Sequence, residues 1–235
     1  MQVVATRAGF MRGLRLAAPL TLGLVPFGLV VGVLAEAQGL SAAEQALMSG
    51  LVFAGAAQIL ALELWADPAP VISAALAALA VNLRFALMGP HLAAWFDALR
   101  GWRRWLAVGS IVDHAWAIAI AEMRAGRHDA GVYLGAVAAL WLAWLATTAV
   151  GHALGALVSL PPDHPLFFAA PACFVALLVP LWRGRREALP WAVAAAAALA
   201  LGLLLPQPAL AVVCGAVAGS LVGAWVETSG RSGTA

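Results

Sequence analysis

The stretch VISAALAALAVNLRFALMGPHLAAWF, Val71 to Phe96, decides what kind of protein this is. About 20 apolar residues cross a hydrocarbon core of about 30 Å, so this run is long enough to span one. It is written almost entirely in Ala, Leu, Val and Phe, and the tripeptide Asn82-Leu83-Arg84 interrupts it. An arginine at the centre of a membrane helix costs about 2.5–3.5 kcal/mol on insertion scales, so it normally faces a bundle interior, a water-filled path or a partner. The plainer alternative is a charge that snorkels to the interface or is paired only to hold helices together.

The rest of the chain supports the membrane setting. Of 235 residues 64% are hydrophobic and only 10% are charged, against about 25% charged in an ordinary globular domain. The mean hydropathy is +0.94. There is too little polar surface here to coat a soluble core. All 13 basic residues are arginines, sparse and placed at the ends of apolar segments, and the net charge of +2 gives no reason to expect nucleic-acid binding. Cys173 and Cys214 each lie inside an apolar segment, as small membrane-core residues do, and not as a disulfide framework or metal site would place them.

The pattern predicts an all-α polytopic membrane protein, residues 1–235 forming one integral membrane transport domain. About eight segments are expected: Leu16–Ala37, Ala42–Leu64, Pro70–Phe96, Trp105–Glu122, Gly131–Val158, Leu166–Trp182, Leu189–Leu205 and Pro208–Val226. Arg7, Arg12 and Arg15 resemble the basic region of a signal peptide. The apolar run after them is long and followed by more of the same, so it reads as a first spanning helix with a cytoplasmic basic flank. Separators such as Gln38-Gly39-Leu40-Ser41, Asp67-Pro68-Ala69-Pro70, Pro161-Pro162-Asp163-His164 and Pro206-Gln207-Pro208 are short turn-forming runs, and Ser41 followed by Glu44 predicts a capping box. No connection has room for a soluble catalytic domain.

Arginine placement sets the expected orientation. If all eight segments cross and the amino terminus is inside, nine arginines lie inside (Arg7, Arg12, Arg15, Arg124, Arg127, Arg183, Arg185, Arg186, Arg231) and three outside (Arg100, Arg103, Arg104). The three exceptions move inside if a segment such as Ala42–Leu64 or Trp105–Glu122 is broken or re-entrant.

Glycine and proline suggest where helices bend or pack. Pro19, Gly23, Pro26 and Gly28 are expected to interrupt the first segment, and Pro26 removes the hydrogen bond to the Leu22 carbonyl. Transporters use such breaks to present backbone dipoles to a substrate, although Gly and Pro are common in membrane helices generally. Gly215, Gly219 and Gly223 form a smooth strip on the last helix, fit for a neighbour within the protein or for a small partner; Gly28 with Gly32 and Gly151 with Gly155 are weaker copies.

Polar residues at membrane depth carry the remaining chemistry: Gln58 and Glu63, then Asn82, Arg84 and His91, then Asp113 and His114. Arg84, Met88 and His91 share a helix face, while Asn82 points elsewhere. Asp113 and Arg84 are candidates for an ion pair or for direct work in transport.

These residues carry a resemblance. Gly13-Leu14-Arg15 through Pro19, Leu24-Val25-Pro26-Phe27-Gly28, Gly39-Leu40-Ser41, the run Met48-Ser49-Gly50-Leu51-Val52-Phe53-Ala54-Gly55-Ala56-Ala57-Gln58, then Asn82-Leu83-Arg84 and Asp113 resemble the AzlC family, the large subunit of branched-chain amino-acid exporters. Beyond about Glu122 the likeness rests mainly on length and hydropathy. It implies a cell inner membrane location and a small multispanning AzlD-like subunit as partner. It also implies outward movement of Leu, Ile, Val and sometimes Met. Two departures stand out: Phe85 beside the arginine, and heavy use of Trp.

A zwitterion needs a cationic or amide partner for its carboxylate and an acceptor for its ammonium. Arg84 with Asn82 or Gln58 is expected to meet the first need, and Asp113 or backbone carbonyls near Pro26 the second. Asp113 and His114 are the candidates for proton coupling. No Walker motif is present, so a proton gradient is the expected energy source. The alternatives are a non-transporting subunit of a membrane complex and a channel-like pore for another small polar solute. An enzyme is not expected: His114 lacks a Ser or Cys neighbour at a usable spacing, His91 has no metal-ligand companion of recognisable pattern, five scattered histidines do not make a site, and no cofactor or metal is implied.

Overall fold

The computed structural model describes residues 3–65, 71–157, 182, 184, 187–204 and 208–232. Nine helices are found among them: α1 Arg7–Ala37, α2 Ala42–Leu51, α3 Gly55–Glu63, α4 Val71–Ala98, α5 Trp102–Gly109, α6 Asp113–Arg124, α7 Gly131–Leu157, α8 Ala188–Leu204 and α9 Pro208–Ser232. The described residues contain no strand, only one isolated bridge between Val4 and Asp129. Three helices are long and apolar enough to cross a membrane: Arg7–Ala37, Ala74–Ala98 and Gly131–Leu157. The pair α5 and α6 passes the same test together, bent by 113° between them. The expected segment Leu166–Trp182 lies almost wholly outside the described residues, as do Cys173 and the separators at 67–70 and 161–164.

One compact unit holds α1 to α3, α4 from Val81 onward, and α5 to α7. Its spine is the pair α1 and α7. Glycines on each helix admit the backbone of the other: a Cβ at Gly13 would fall on the Val132 carbonyl, one at Gly32 on the Thr148 carbonyl, and one at Gly151 on the Leu29 carbonyl. The sequence numbers rise together along the contact, so the two helices run parallel. The parallel bridge from Val4 to Asp129 agrees. The spacings Gly28 with Gly32 and Gly151 with Gly155 thus belong to this one interface, where small residues let backbones approach.

Helix α1 differs from expectation. Pro19 and Pro26 lie inside an unbroken helix of 31 residues that starts at Arg7, with Thr6 as its cap accepting from the Gly9 N–H at 2.9 Å. Each proline removes one intrahelical bond, and helices of this kind tolerate that loss where neighbouring packing holds the turn. Both prolines are exposed, and α1 packs on α7 through Gly13 before them and Gly28 and Gly32 after them.

The second expected segment is broken, as is the fourth. Residues 52–54 separate α2 from α3, and residues 110–112 separate α5 from α6. A helix end leaves backbone carbonyls without partners, which must be met elsewhere in a dry interior. Helix α7 meets one at each break: Trp141 donates to the Gly50 carbonyl near the end of α2 at 3.1 Å, and Tyr133 donates to the Ala107 carbonyl near the end of α5 at 3.0 Å. The predicted capping box at the start of α2 is present, with Ser41 N–H donating to the Glu44 carboxylate at 2.7 Å and Glu44 N–H returning to the Ser41 hydroxyl at 3.3 Å.

The other unit contains α8, α9 and the start of α4. The glycine strip of α9 packs on α8: Gly215 faces Ala194 and Ala198, Gly219 faces Ala194 and Pro190, and Gly223 meets only Pro190 at ordinary contact distance. The strip is therefore used within the chain, which removes it as support for docking of a partner.

Candidate functional site

The charged pair at membrane depth is brought together between α4 and α6. Arg84 Nη2 lies 3.1 Å from the Asp113 carboxylate, and both side chains are 40% exposed. Asp113 occupies the first turn of α6, where the positive end of the helix favours an anion. The Phe85 ring lies 5.1 Å from the Arg84 guanidinium carbon, which gives the guanidinium a π face on which to rest. The Nε of Arg84 is buried and has no hydrogen-bond partner.

Further along the same α4–α6 seam, His91 and Trp116 meet edge to face, ring centroids 5.9 Å apart. His91 is exposed and its Nδ1 lies 3.1 Å from the Leu87 carbonyl of its own helix. Met88, on the same face, packs against the hydrophobic core made by Leu92, Trp95 and Phe96 of α4 with residues of α6 and α7. His114, next to Asp113 in sequence, is exposed. Asn82 is half-buried, and its side-chain oxygen has no hydrogen-bond partner.

Gln58 belongs to a different cluster. It is 1% exposed; its amide donates to the Ser49 hydroxyl at 3.1 Å and accepts from the Trp144 indole at 2.9 Å. Gln45 donates to the same hydroxyl at 3.0 Å. These bonds close the α2–α3 break against α7, and the Phe27 ring packs 5.7 Å from that of Trp144. Gly55 sits where a Cβ would run into both rings. Pro26 is exposed on α1. Of the proposed substrate and proton residues, then, only Arg84 and Asp113 are joined by a direct contact.

A second charged centre was not singled out from the sequence. Glu122, 4% exposed near the end of α6, accepts two bonds from Arg12 of α1 at 2.9 and 3.1 Å, and two from Arg127 at 2.8 and 2.7 Å. The hydrogen bond to Glu122 raises the Arg127 pKa further above its ordinary value. Beside this centre Asp129 accepts from the backbone N–H and hydroxyl of Thr6 and from the Gly131 N–H. The start of α1 and the α6–α7 connection are thereby pinned together. The clue available in the sequence was a carboxylate and two arginines near apparent segment ends, with no periodicity to pair them.

A helical membrane protein with a charged pair between two of its helices is the class these features define. The chain belongs to the AzlC family: the family model, described as AzlC protein, matches residues 19–158, which takes in Gln58, Arg84 and Asp113 and extends past Glu122 to the end of α7. It is 28% identical over 228 residues to an uncharacterized membrane protein of Archaeoglobus fulgidus, covering 96% of this chain and 99% of that one. It is 27% identical over 220 residues to the inner membrane protein YgaZ of Escherichia coli, covering 91% and 89%. No solved structure matches the chain.

Proposed function

We propose that this chain is the large subunit of a secondary transporter that exports branched-chain amino acids (Leu, Ile and Val, with Met as an occasional further substrate) across the cell inner membrane in exchange for protons. The amino terminus is cytoplasmic, and a small multispanning AzlD-like protein completes the complex. The observation that carries the reading is the Arg84–Asp113 pair, 3.1 Å apart between two helices of an AzlC-family chain. A guanidinium offers two parallel donors to a carboxylate, and a carboxylate can receive an ammonium or a proton, so the two groups supply what a zwitterion and a coupling ion need. Charges at membrane depth are costly and generally mark substrate or ion pathways. The partly exposed guanidinium receives the substrate carboxylate; Asp113 balances the charge or carries the proton.

The test is leucine flux in vesicles containing the chain and the product of its neighbouring gene, with and without a pH gradient. Wild type is expected to concentrate leucine when the gradient is imposed. Arg84→Lys should lose most flux while the complex still assembles, and Asp113→Asn should lose the pH dependence if it carries the proton. Flux that only runs downhill and ignores the pH gradient identifies a pore; no flux from an assembled complex identifies a non-transporting subunit.

A further inference from the structure

From Phe96 to Ser110 the chain reads FDALRGWRRWLAVGS, three arginines against one aspartate with two tryptophans set among them. Gly101, at φ +61°, turns the chain out of α4 and into α5. With 8 residues α5 is about 12 Å long, far short of a hydrocarbon core. Its level is fixed at two points. Arg104 pairs at 2.9 Å with Asp97 in the last turn of α4, and Tyr133 in the first turn of α7 donates to the Ala107 carbonyl at 3.0 Å. Both neighbouring helices are long and apolar enough to span, so α5 is held where one spanning helix ends and another begins, at the boundary between hydrocarbon and water.

The two sides of α5 differ. Ala107 is buried against the core. Trp102, Trp105 and Leu106, spaced i, i+3 and i+4 on the opposite face, are 69%, 75% and 53% exposed. An indole is poorly placed in water, where its ring is bare, and at the bilayer centre, where its N–H finds no acceptor; headgroup level suits both ends. Arg103 and Arg104 stand on the flanks of this face. Asp97 answers Arg104, whereas Arg100 and Arg103 are exposed and have no ion pair among the described residues. A guanidinium at headgroup level offers two parallel donors to a phosphate. In a zwitterionic lipid the headgroup's own cation competes for that phosphate; in an anionic one nothing does, and surface arginines are drawn to it.

We infer that α5 is a membrane-surface anchor selective for anionic phospholipid: Trp102, Trp105 and Leu106 seat it at the headgroup boundary, and Arg100 and Arg103 hold the anionic headgroup. Basic residues beside a tryptophan-bearing apolar face are the arrangement by which amphipathic helices lie in that boundary. A protein partner in the same place would have to bring acidic groups and an apolar groove together at this one level, whereas an anionic bilayer presents both everywhere.

The experiment places a fluorophore on α5 and reads its quenching by nitroxide-labelled lipid. The full chain, with Cys173 and Cys214 replaced, carries Leu106→Cys labelled with a nitrobenzoxadiazole dye, or Val108→Cys should that protein not fold. A second protein carries the dye at Leu142→Cys, an exposed position on the body of α7. Each is reconstituted in phosphatidylcholine vesicles containing nitroxide-labelled phosphatidylglycerol or nitroxide-labelled phosphatidylcholine. Position 106 is expected to be quenched by both lipids and more strongly by phosphatidylglycerol, while position 142 is quenched equally by the two. The preference at 106 should weaken as salt rises. Arg100→Gln and Arg103→Gln should each lower it by up to about fivefold, and together bring it to the level at 142. Trp102→Ala with Trp105→Ala should reduce quenching at 106 by both lipids alike; unchanged quenching would remove the seat and overturn the anchor. No preference at 106, or a preference of the same size at 142, overturns the selectivity, as does a preference that survives loss of both arginines. Quenching at 106 that disappears when the product of the neighbouring gene is reconstituted with the chain makes this face a subunit interface, and the inference fails.

Discussion

Trp144 donates its indole N–H to the Gln58 side-chain oxygen at 2.9 Å, fastening the first turn of α3 to the middle of α7. Both residues are almost fully buried, so the bond has no water to replace it. Trp144→Phe leaves the Gln58 oxygen without its donor and is expected to cost about 1–3 kcal/mol. Gln58→Leu should cost a similar amount, and the pair together less than the sum, because they share one bond. Thermal unfolding of the four proteins in detergent checks this; strict additivity would mean the two side chains do not act through each other.

Two glycines of α1 should behave oppositely. A Cβ at Gly13 meets the Val132 carbonyl of α7, which is backbone and cannot swing aside, whereas a Cβ at Gly23 meets nothing within 4 Å. Gly13→Ala should destabilise by about 1–3 kcal/mol, as overpacking does. Gly23→Ala should be neutral or stabilise by about 0.5–1 kcal/mol, since alanine is the better helix former. Melting temperatures of both variants decide it, and an indifferent Gly13→Ala would argue against the α1–α7 contact.

Removing the carboxylate at the end of α6 should be worse than removing either of its arginines. Glu122→Gln leaves two guanidinium groups facing a neutral amide, while Arg12→Gln or Arg127→Gln leaves the carboxylate its other two-pronged partner. Because both arginine side chains are about half exposed, solvent screens the loss, and about 1–3 kcal/mol is expected for Glu122→Gln. Protease sensitivity near the amino terminus should rise in step, since Arg12 ties α1 to this centre. A larger loss from either arginine substitution would reverse this ranking.

The parallel run of α1 and α7 constrains topology. Two parallel spanning helices start on the same side, so an odd number of crossings separates them. Three crossings satisfy this if α2–α3, α4 and α5–α6 all span. One crossing satisfies it if α4 alone spans and both broken segments return to the side they entered. The 113° bend between α5 and α6 favours the second arrangement, which also brings Arg100, Arg103 and Arg104 to the side of Arg12 and Arg127, the one-sided arginine distribution that the positive-inside rule expects. With Cys173 and Cys214 replaced, single cysteines at 103 and 127 are then expected to be shielded from a membrane-impermeant reagent added to intact cells. Labelling at 103 alone would restore three crossings.

How much of this could be read from the chain depends on the kind of signal. Composition and run length are strong signals, so the membrane setting, the broken segments and the capping box at Ser41 were all legible. The Arg84–Asp113 contact was a short step, because two deep charges of opposite sign have few other ways to be accommodated. The α1–α7 pairing was not legible: both helices are apolar nearly all round, so periodicity names no buried face and small residues say only that something packs closely. Glu122 and Arg12 stand 110 residues apart, and nothing local pairs them. Gln58 reads in the sequence as a partner of Arg84 for the substrate carboxylate. Its role follows from Ser49 and Trp144, which only the fold assembles around it.

Helix α6 is 12 residues long and is gripped at both ends by arginines from different helices, Arg84 of α4 at Asp113 and Arg12 of α1 at Glu122. The two grips are nine residues and about 13 Å apart, and they differ in strength: one guanidinium contact on a partly exposed carboxylate against four hydrogen bonds on a buried one. Neutralising Asp113 therefore removes the weaker grip and leaves the stronger one on the α1–α7 spine, while Ile111, Val112 and Ala115 still hold the first turn of α6 in the hydrophobic core.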